Sequence, residues 1–218
     1  MLLHGWGGNM TSFLSLEQNL SKYARVLNLD FLGFGDSPKL TRPVDVPDYA
    51  DGVLELIEKY SMRDVVLVGH SFGGRVAMYI AEHYPETVSG LVLIDAAGVF
   101  PRFSIKKFVK IRLHRFLKRL GLKGLKGSPD YRALDDIGRA TFNNVISFDL
   151  ESNLSDISCP ALLIWGKDDR DTPLYMAKKL NKKIKNSELI VFNDVGHFSY
   201  LERPYETFLI IRSFIDGI

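Results

Sequence analysis

Four short runs of unbroken apolar residues punctuate the chain: Val65 to Val68, Leu91 to Ile94, Ala161 to Trp165 and Leu189 to Phe192. Successive side chains of a strand point to opposite faces, so a continuous apolar run bounded by polar or glycine positions predicts a strand covered on both faces, as in a parallel sheet. Leu2 to His4 and Arg25 to Leu29 are weaker strand candidates. Between these runs the apolar spacing lengthens to three and four residues, which predicts helices over Asp48 to Tyr60, Gly73 to Tyr84, Pro173 to Asn181 and Pro204 to Ile215. Thr172-Pro173 predicts an N-cap followed by proline at the first helical position, and Arg203-Pro204 a second proline start. Strand alternating with helix specifies an α/β fold with right-handed crossovers.

The interval 99–153 breaks this rhythm, being helical by pattern without a strand, and predicts a helical cap inserted into a core of residues 1–98 and 154–218. From Ile105 to Leu120 apolar residues fall at helical spacing, while Lys106, Lys107, Lys110, Arg115, Lys118 and Arg119 lie mostly on the rest of the wheel. That is a basic amphipathic helix, expected to lie over the site as a lid with its cations in water rather than to anchor in a membrane. Phe103, Phe108 and Phe116 make the pocket beneath it partly apolar.

At 218 residues the chain is long enough for one buried core. The net charge of +2 gives no reason to expect nucleic acid or a membrane as partner. Charge is unevenly distributed, however: ten of the 28 basic residues fall between Gly98 and Asp130, where no acid occurs. The single cysteine, Cys159, permits no internal disulfide and fits a reducing, cytoplasmic setting. The short apolar start predicts no signal peptide, and no run approaches membrane-spanning length.

Chemistry enters at Gly69-His70-Ser71-Phe72-Gly73-Gly74, which follows one apolar run and opens a helix. This is G-x-S-x-G in a strand-turn-helix context, where small flanking residues allow a sharp turn that exposes the serine Oγ. A serine hydroxyl needs a neighbouring base, and that base an orienting acid. Candidates follow the last two apolar runs: Asp168, Asp169 and Asp171 after Trp165, and His197 in Asp194-Val195-Gly196-His197-Phe198. Both segments sit at strand C-terminal ends, where ligands bind in open α/β sheets. No His, Cys or carboxylate spacing predicts a metal, and Gly33 to Ser37 matches a phosphate loop only weakly.

With H-G-W-G-G at the start, G-H-S-F-G-G, W-G-x-x-D-x-x-x-P and G-H-F-x-x-x-E-x-P in that order, the chain resembles the α/β-hydrolase fold superfamily over nearly its whole length except the cap. The resemblance implies a mostly parallel sheet of about six strands flanked by helices. It implies Ser71 as nucleophile, His197 as general base and then acid, and, from the family spacing to glycine and proline, Asp169 as the orienting acid. Asp95 is the secondary candidate for that acid, since some members place it after the preceding strand. The backbone N–H groups of Trp6 and Phe72 would form the oxyanion hole, with His4 anchoring the first loop and His70 packed beneath the turn. His83 is expected to be solvated, and His114 belongs to the cap.

The function expected is a cofactor-independent serine esterase acting on a small, partly apolar ester or related acyl substrate. A C–C bond hydrolase of ring-cleavage products and a ligand-sensing protein that retains the triad are the alternatives. Family members usually carry two strands before the H-G loop, whereas His4 is preceded by three residues here. The strand at Arg25 to Leu29 is therefore expected at an open sheet edge, where self-association is possible.

Overall fold

The computed structural model describes residues 1–100 and 129–218, with side chains at 1–100 and 131–218. Among these residues six parallel strands form one sheet in the order β2-β1-β3-β4-β5-β6. They are β1 (Leu2–Leu3), β2 (Asn28–Leu29), β3 (Val65–His70), β4 (Val88–Ile94), β5 (Ala161–Gly166) and β6 (Ser187–Phe192). The chain steps outward from β1 to β2, then returns and runs the other way from β3 to β6. At that reversal the carboxyl ends of β1 and β3 lie side by side, Leu3 in register with Gly69.

The interior strands follow the expected logic. β5 is buried at every position, and β4 at all but Ser89. β6 differs: its apolar run is the same kind, yet the strand is only half-buried because among the described residues it has a neighbouring strand on one side alone. The expected strand at Arg25 to Leu29 contracts to two residues at the opposite edge.

Three early helices are α1 (Leu14–Leu20), α2 (Val46–Lys59) and α3 (Phe72–His83), with later ones at Pro129–Ala133, Asp136–Ser147, Leu174–Lys183, Ser199–Glu202 and Pro204–Asp216. α2 starts two residues before its expected first position. Asp45 accepts from the Asp48 N–H and Asp48 reaches back to the Asp45 N–H, so the two carboxylates satisfy donors that an uncapped first turn leaves free. The helix at Leu174–Lys183 corrects the expected Thr172 cap: Pro173 is the N-cap residue, and Thr172 turns inward, 6% exposed. Pro204 does open its helix as expected.

Two apolar layers result. One packs α2, α3 and the Leu174–Lys183 helix on one face of the sheet; the other packs α1 and the Pro204–Asp216 helix on the opposite face. In the expected cap interval the described part contains the helices Pro129–Ala133 and Asp136–Ser147, and a 3-10 turn at Leu154–Asp156 follows where the core is expected to resume. The Asp136–Ser147 helix is tied to the core through Val44, whose N–H donates to Thr141 Oγ1 and whose carbonyl accepts from Asn144 Nδ2. The basic helix expected at Ile105 to Leu120, with Phe103 and His114, lies outside the described residues. Among the described residues no helix is long and apolar enough to cross a membrane.

Candidate active site

β3 ends at His70, and α3 begins at Phe72, leaving Ser71 alone to make the turn. Its backbone has φ 49° and ψ −110°, a left-handed region costly for a residue with a Cβ. Two bonds hold it there: the Ser71 N–H donates to the Ile94 carbonyl at 3.1 Å, and the Ser71 carbonyl accepts from Ala97 at 3.0 Å. So sharp a turn needs close backbone approach, and a Cβ on Gly73 would fall 2.0 Å from the Leu3 carbonyl oxygen.

The acid arrives from the loop after β5. Trp165 anchors that loop by donating Nε1–H to the Thr172 carbonyl at 2.7 Å. Within it Asp169 is buried, its Oδ1 accepting from the Asp171 and Thr172 N–H groups and its Oδ2 accepting from Thr172 Oγ1 at 2.6 Å. Asp168 and Asp171 are exposed on either side.

His197 comes from the loop after β6, where Glu202 Oε1 accepts the Gly196 N–H at 3.0 Å. Its Nδ1 lies 2.8 Å from Asp169 Oδ2 and its Nε2 3.1 Å from Ser71 Oγ. The structure thus joins Asp169, His197 and Ser71 in one chain of hydrogen bonds. Burial opposes a charged imidazole at His197, but the hydrogen bond and charge of Asp169 more than offset it, and the ring's pKa lies above its ordinary 6.5. Burial likewise opposes ionisation of Asp169, yet its bonds from His197 and Thr172 hold its carboxyl below the usual aspartate value.

Thr172 is the member of this cluster that sequence reasoning missed. The signal available was its position three residues after the acid, where a short side chain can close back on a carboxylate.

Asp95 does not touch His197 through any of its hydrogen bonds. It is fully buried, with Oδ1 accepting from the Gly166 N–H at 2.8 Å and Oδ2 from the Ser199 N–H at 3.0 Å, so it braces the two loops that carry Asp169 and His197. Burial pushes its carboxyl up to about 6 despite these bonds. An amide at this position turns an NH2 group toward one of the two donors. Asp95→Asn is therefore expected to cost roughly 1–3 kcal/mol of stability, read as a lowered urea midpoint at neutral pH. An unchanged midpoint would contradict the bracing role.

The remaining histidines are fixed by their bonds. His4 Nδ1–H donates to the Gly5 carbonyl at 2.7 Å and Nε2 accepts from the Phe31 N–H at 3.0 Å, which ties the first loop to the chain after β2. His70, buried at the end of β3, donates Nε2–H to the His197 carbonyl at 2.8 Å, and burial lowers its pKa to about 3. It supports the His197 loop as a neutral ring. His83 is exposed and stacks on Tyr79.

Loop Gly5 to Gly8 closes the other side of the site. Gly5 lies so near the turn that an added Cβ would sit 2.7 Å from His70 Nδ1. The ring of Trp6 meets Phe34, Phe72 and Phe142 edge-on. The backbone N–H groups of Trp6 and Phe72 have no hydrogen-bond acceptor among the described residues. Both residues line a cavity of ≈ 510 Å³ together with Ser71, His197 and, from the Asp136–Ser147 helix, Phe142, Val145 and Ile146. Asp169, Asp171 and His197 are close enough together to be considered as metal ligands, but two of them are engaged in the hydrogen-bond chain. Gly33 to Ser37 is folded onto Asp30, which accepts from the Asp36 N–H and from Ser37 Oγ.

Known proteins resemble this chain over nearly its whole length. Residues 1–209 match the model of the Alpha/beta hydrolase family. A pimeloyl-[acyl-carrier protein] methyl ester esterase of Neisseria meningitidis is 27% identical over 249 residues, covering 99% of this chain and 92% of that protein. An AB hydrolase superfamily protein of Bacillus subtilis is 29% identical over 244 residues, covering 100% and 91%. Among solved structures, an esterase from Exiguobacterium antarcticum superposes with a TM-score of 0.80 at 24% identity, over 99% of this chain and 90% of that one. A sharp strand-to-helix turn at Ser71 after β3, loops carrying Asp169 and His197 after β5 and β6, and a family match over nearly the whole length lead to one assignment: the chain belongs to the alpha/beta hydrolase family.

Proposed function

We propose that the protein is a serine hydrolase that cleaves a carboxylic ester of a small, partly apolar substrate through an acyl-enzyme on Ser71. The observation that carries this reading is the hydrogen-bond chain from buried Asp169 through His197 to Ser71 Oγ, which ends on a strained turn facing a cavity. The named activity of the Neisseria relative supports it at the level of reaction class.

In the first half-reaction Ser71 Oγ attacks the ester carbonyl while His197 Nε2 takes its proton. Asp169 keeps Nδ1–H pointed toward itself, so Nε2 is the free base, and its charge favours the imidazolium that forms. The carbonyl oxygen becomes an oxyanion, which the N–H groups of Trp6 and Phe72, without an acceptor among the described residues, would receive. Each such donor contributes on the order of 100- to 1000-fold in rate. Collapse expels the alcohol, protonated by His197, and leaves an acyl ester on Ser71. Water then repeats the sequence with His197 as base, releasing the acid and restoring Ser71. Every proton and electron pair in these steps is carried by the chain's side chains, the substrate and water.

A series of p-nitrophenyl esters of increasing acyl length tests the proposal. Release of nitrophenol with a fast first turnover is expected, with an optimum at short to medium chains because the wall is apolar at Trp6, Phe142 and Val145. Folded protein that cleaves a ring-cleavage dienoate but no ester would replace this reading with C–C hydrolysis.

The pH dependence has a defined sign. His197 must be neutral to accept the Ser71 proton, and its pKa is raised, so kcat/KM for a neutral ester is expected to climb with pH through a value above 6.5 and then level off. An ascending limb centred below 6.5 would contradict the Asp169–His197 coupling.

A further inference from the structure

Arg75 stands one turn beyond Ser71 on α3, its N–H bonded to the Ser71 carbonyl at 3.3 Å. Its side chain lines the same cavity as Ser71 and His197, and the residue is only 7% exposed. Guanidinium groups are rarely buried to that degree without a carboxylate, because stripping water from the charge is costly. Yet no ion pair joins Arg75 to a described carboxylate. Its one side-chain hydrogen bond among the described residues runs from Nη1 to the Phe148 carbonyl at 2.8 Å, using one of its five N–H donors. Burial lowers its pKa to about 10, which leaves the group charged at neutral pH.

The Phe148 bond by itself explains a bracket to the segment that leaves the Asp136–Ser147 helix. It does not explain a cation: a neutral donor would satisfy one carbonyl without the desolvation cost. Trp6, Phe142, Val145 and Ile146 on the wall are uncharged, and the carboxylate among the described lining residues, Asp171, is exposed and forms no ion pair with Arg75.

We infer that Arg75 is a substrate-recognition residue that pairs with a carboxylate borne by the ester, so the favoured substrates are carboxylate-bearing esters such as half-esters of short dicarboxylic acids. The inference rests on the esterase reading above and narrows its substrate class. A guanidinium presents parallel N–H donors that match the two oxygens of a carboxylate, and a partly apolar cavity reduces competition from water for that contact. Placed one helical turn from the nucleophile, it would hold the reacting carbonyl over Ser71 Oγ as well as add affinity.

The test compares substrates in charged and neutral pairs. Mono-p-nitrophenyl glutarate against p-nitrophenyl butyrate places the carboxylate on the acyl side; 4-carboxyphenyl butyrate against phenyl butyrate places it on the alcohol side. For at least one pair the wild type is expected to favour the charged member by roughly 10- to 100-fold in kcat/KM. Arg75→Met is expected to erase that ratio, and Arg75→Lys to restore part of it. A purely structural loss lowers both members together and leaves the ratio unchanged, which would overturn the inference. So would a wild type that discriminates in neither pair.

Hydrolysis of the neutral members tests the esterase reading separately. A binding readout tests Arg75 without turnover: glutarate, but not glutaramide, is expected to raise the thermal midpoint of the wild type. The absence of that rise would count against the inference even if Arg75→Met fails to fold.

Discussion

Ser71→Ala is expected to lower ester turnover by roughly a millionfold, the order seen when the serine of such a triad is removed. The size follows from the geometry: Oγ is the atom 3.1 Å from His197 Nε2, and nothing else in the described cavity wall sits at that point to form the covalent bond. The fold should survive. Ser71 is held by its backbone bonds to Ile94 and Ala97 and by the close approach of Gly73 to Leu3, none of which uses the hydroxyl. Alanine meets the same cost at φ 49° as serine does, so the thermal midpoint is expected to change little. Steady-state rates on a p-nitrophenyl ester, taken beside a thermal melt, check both halves. Turnover within about tenfold of wild type, by a folded variant, would mean that attack does not come from Ser71.

Asp169→Asn carries the second largest expected effect, a loss of about 10,000-fold in kcat. An asparagine in the same pocket can keep the N–H bonds from Asp171 and Thr172 on its Oδ1. Its NH2 then faces His197 Nδ1, which favours the ring with its proton on Nε2, the nitrogen that has to act as base. Asp168→Asn is the matched control. Its side chain is exposed, and the loop uses only its backbone N–H, bonded to the Val195 carbonyl. Near wild-type kcat for Asp168→Asn beside the large loss for Asp169→Asn is the expected pattern; equal losses would contradict the one-residue choice between them.

Much of this arrangement is legible in the sequence, and the exceptions have physical causes. β3, β4 and β5 were legible because interior parallel strands must be apolar on both faces, and only a continuous run meets that demand. β6 carries the same signature yet is half-buried, because periodicity reports the side chain and not the number of neighbouring strands. Among the three aspartates, the resemblance to the family's glycine-to-proline spacing singles out Asp169, and it is the one that is buried while Asp168 and Asp171 are exposed. Thr172 predicts a helix cap because threonine before proline usually is one. The turn instead spends that hydroxyl on Asp169. Arg75 left no sequence signal at all: a cation on a helix is ordinarily solvated, and only the packing of Phe148 and the cavity wall makes this one buried.

The central claim is a covalent ester on Ser71 Oγ, and the most direct measurement is mass spectrometry of acid-quenched protein during turnover of p-nitrophenyl butyrate, followed by peptide mapping. One butyryl group is predicted on the peptide containing Ser71, appearing with the first turnover and disappearing when substrate is exhausted. Sustained hydrolysis with no acylated protein, or an acyl group on any other residue, would contradict the account.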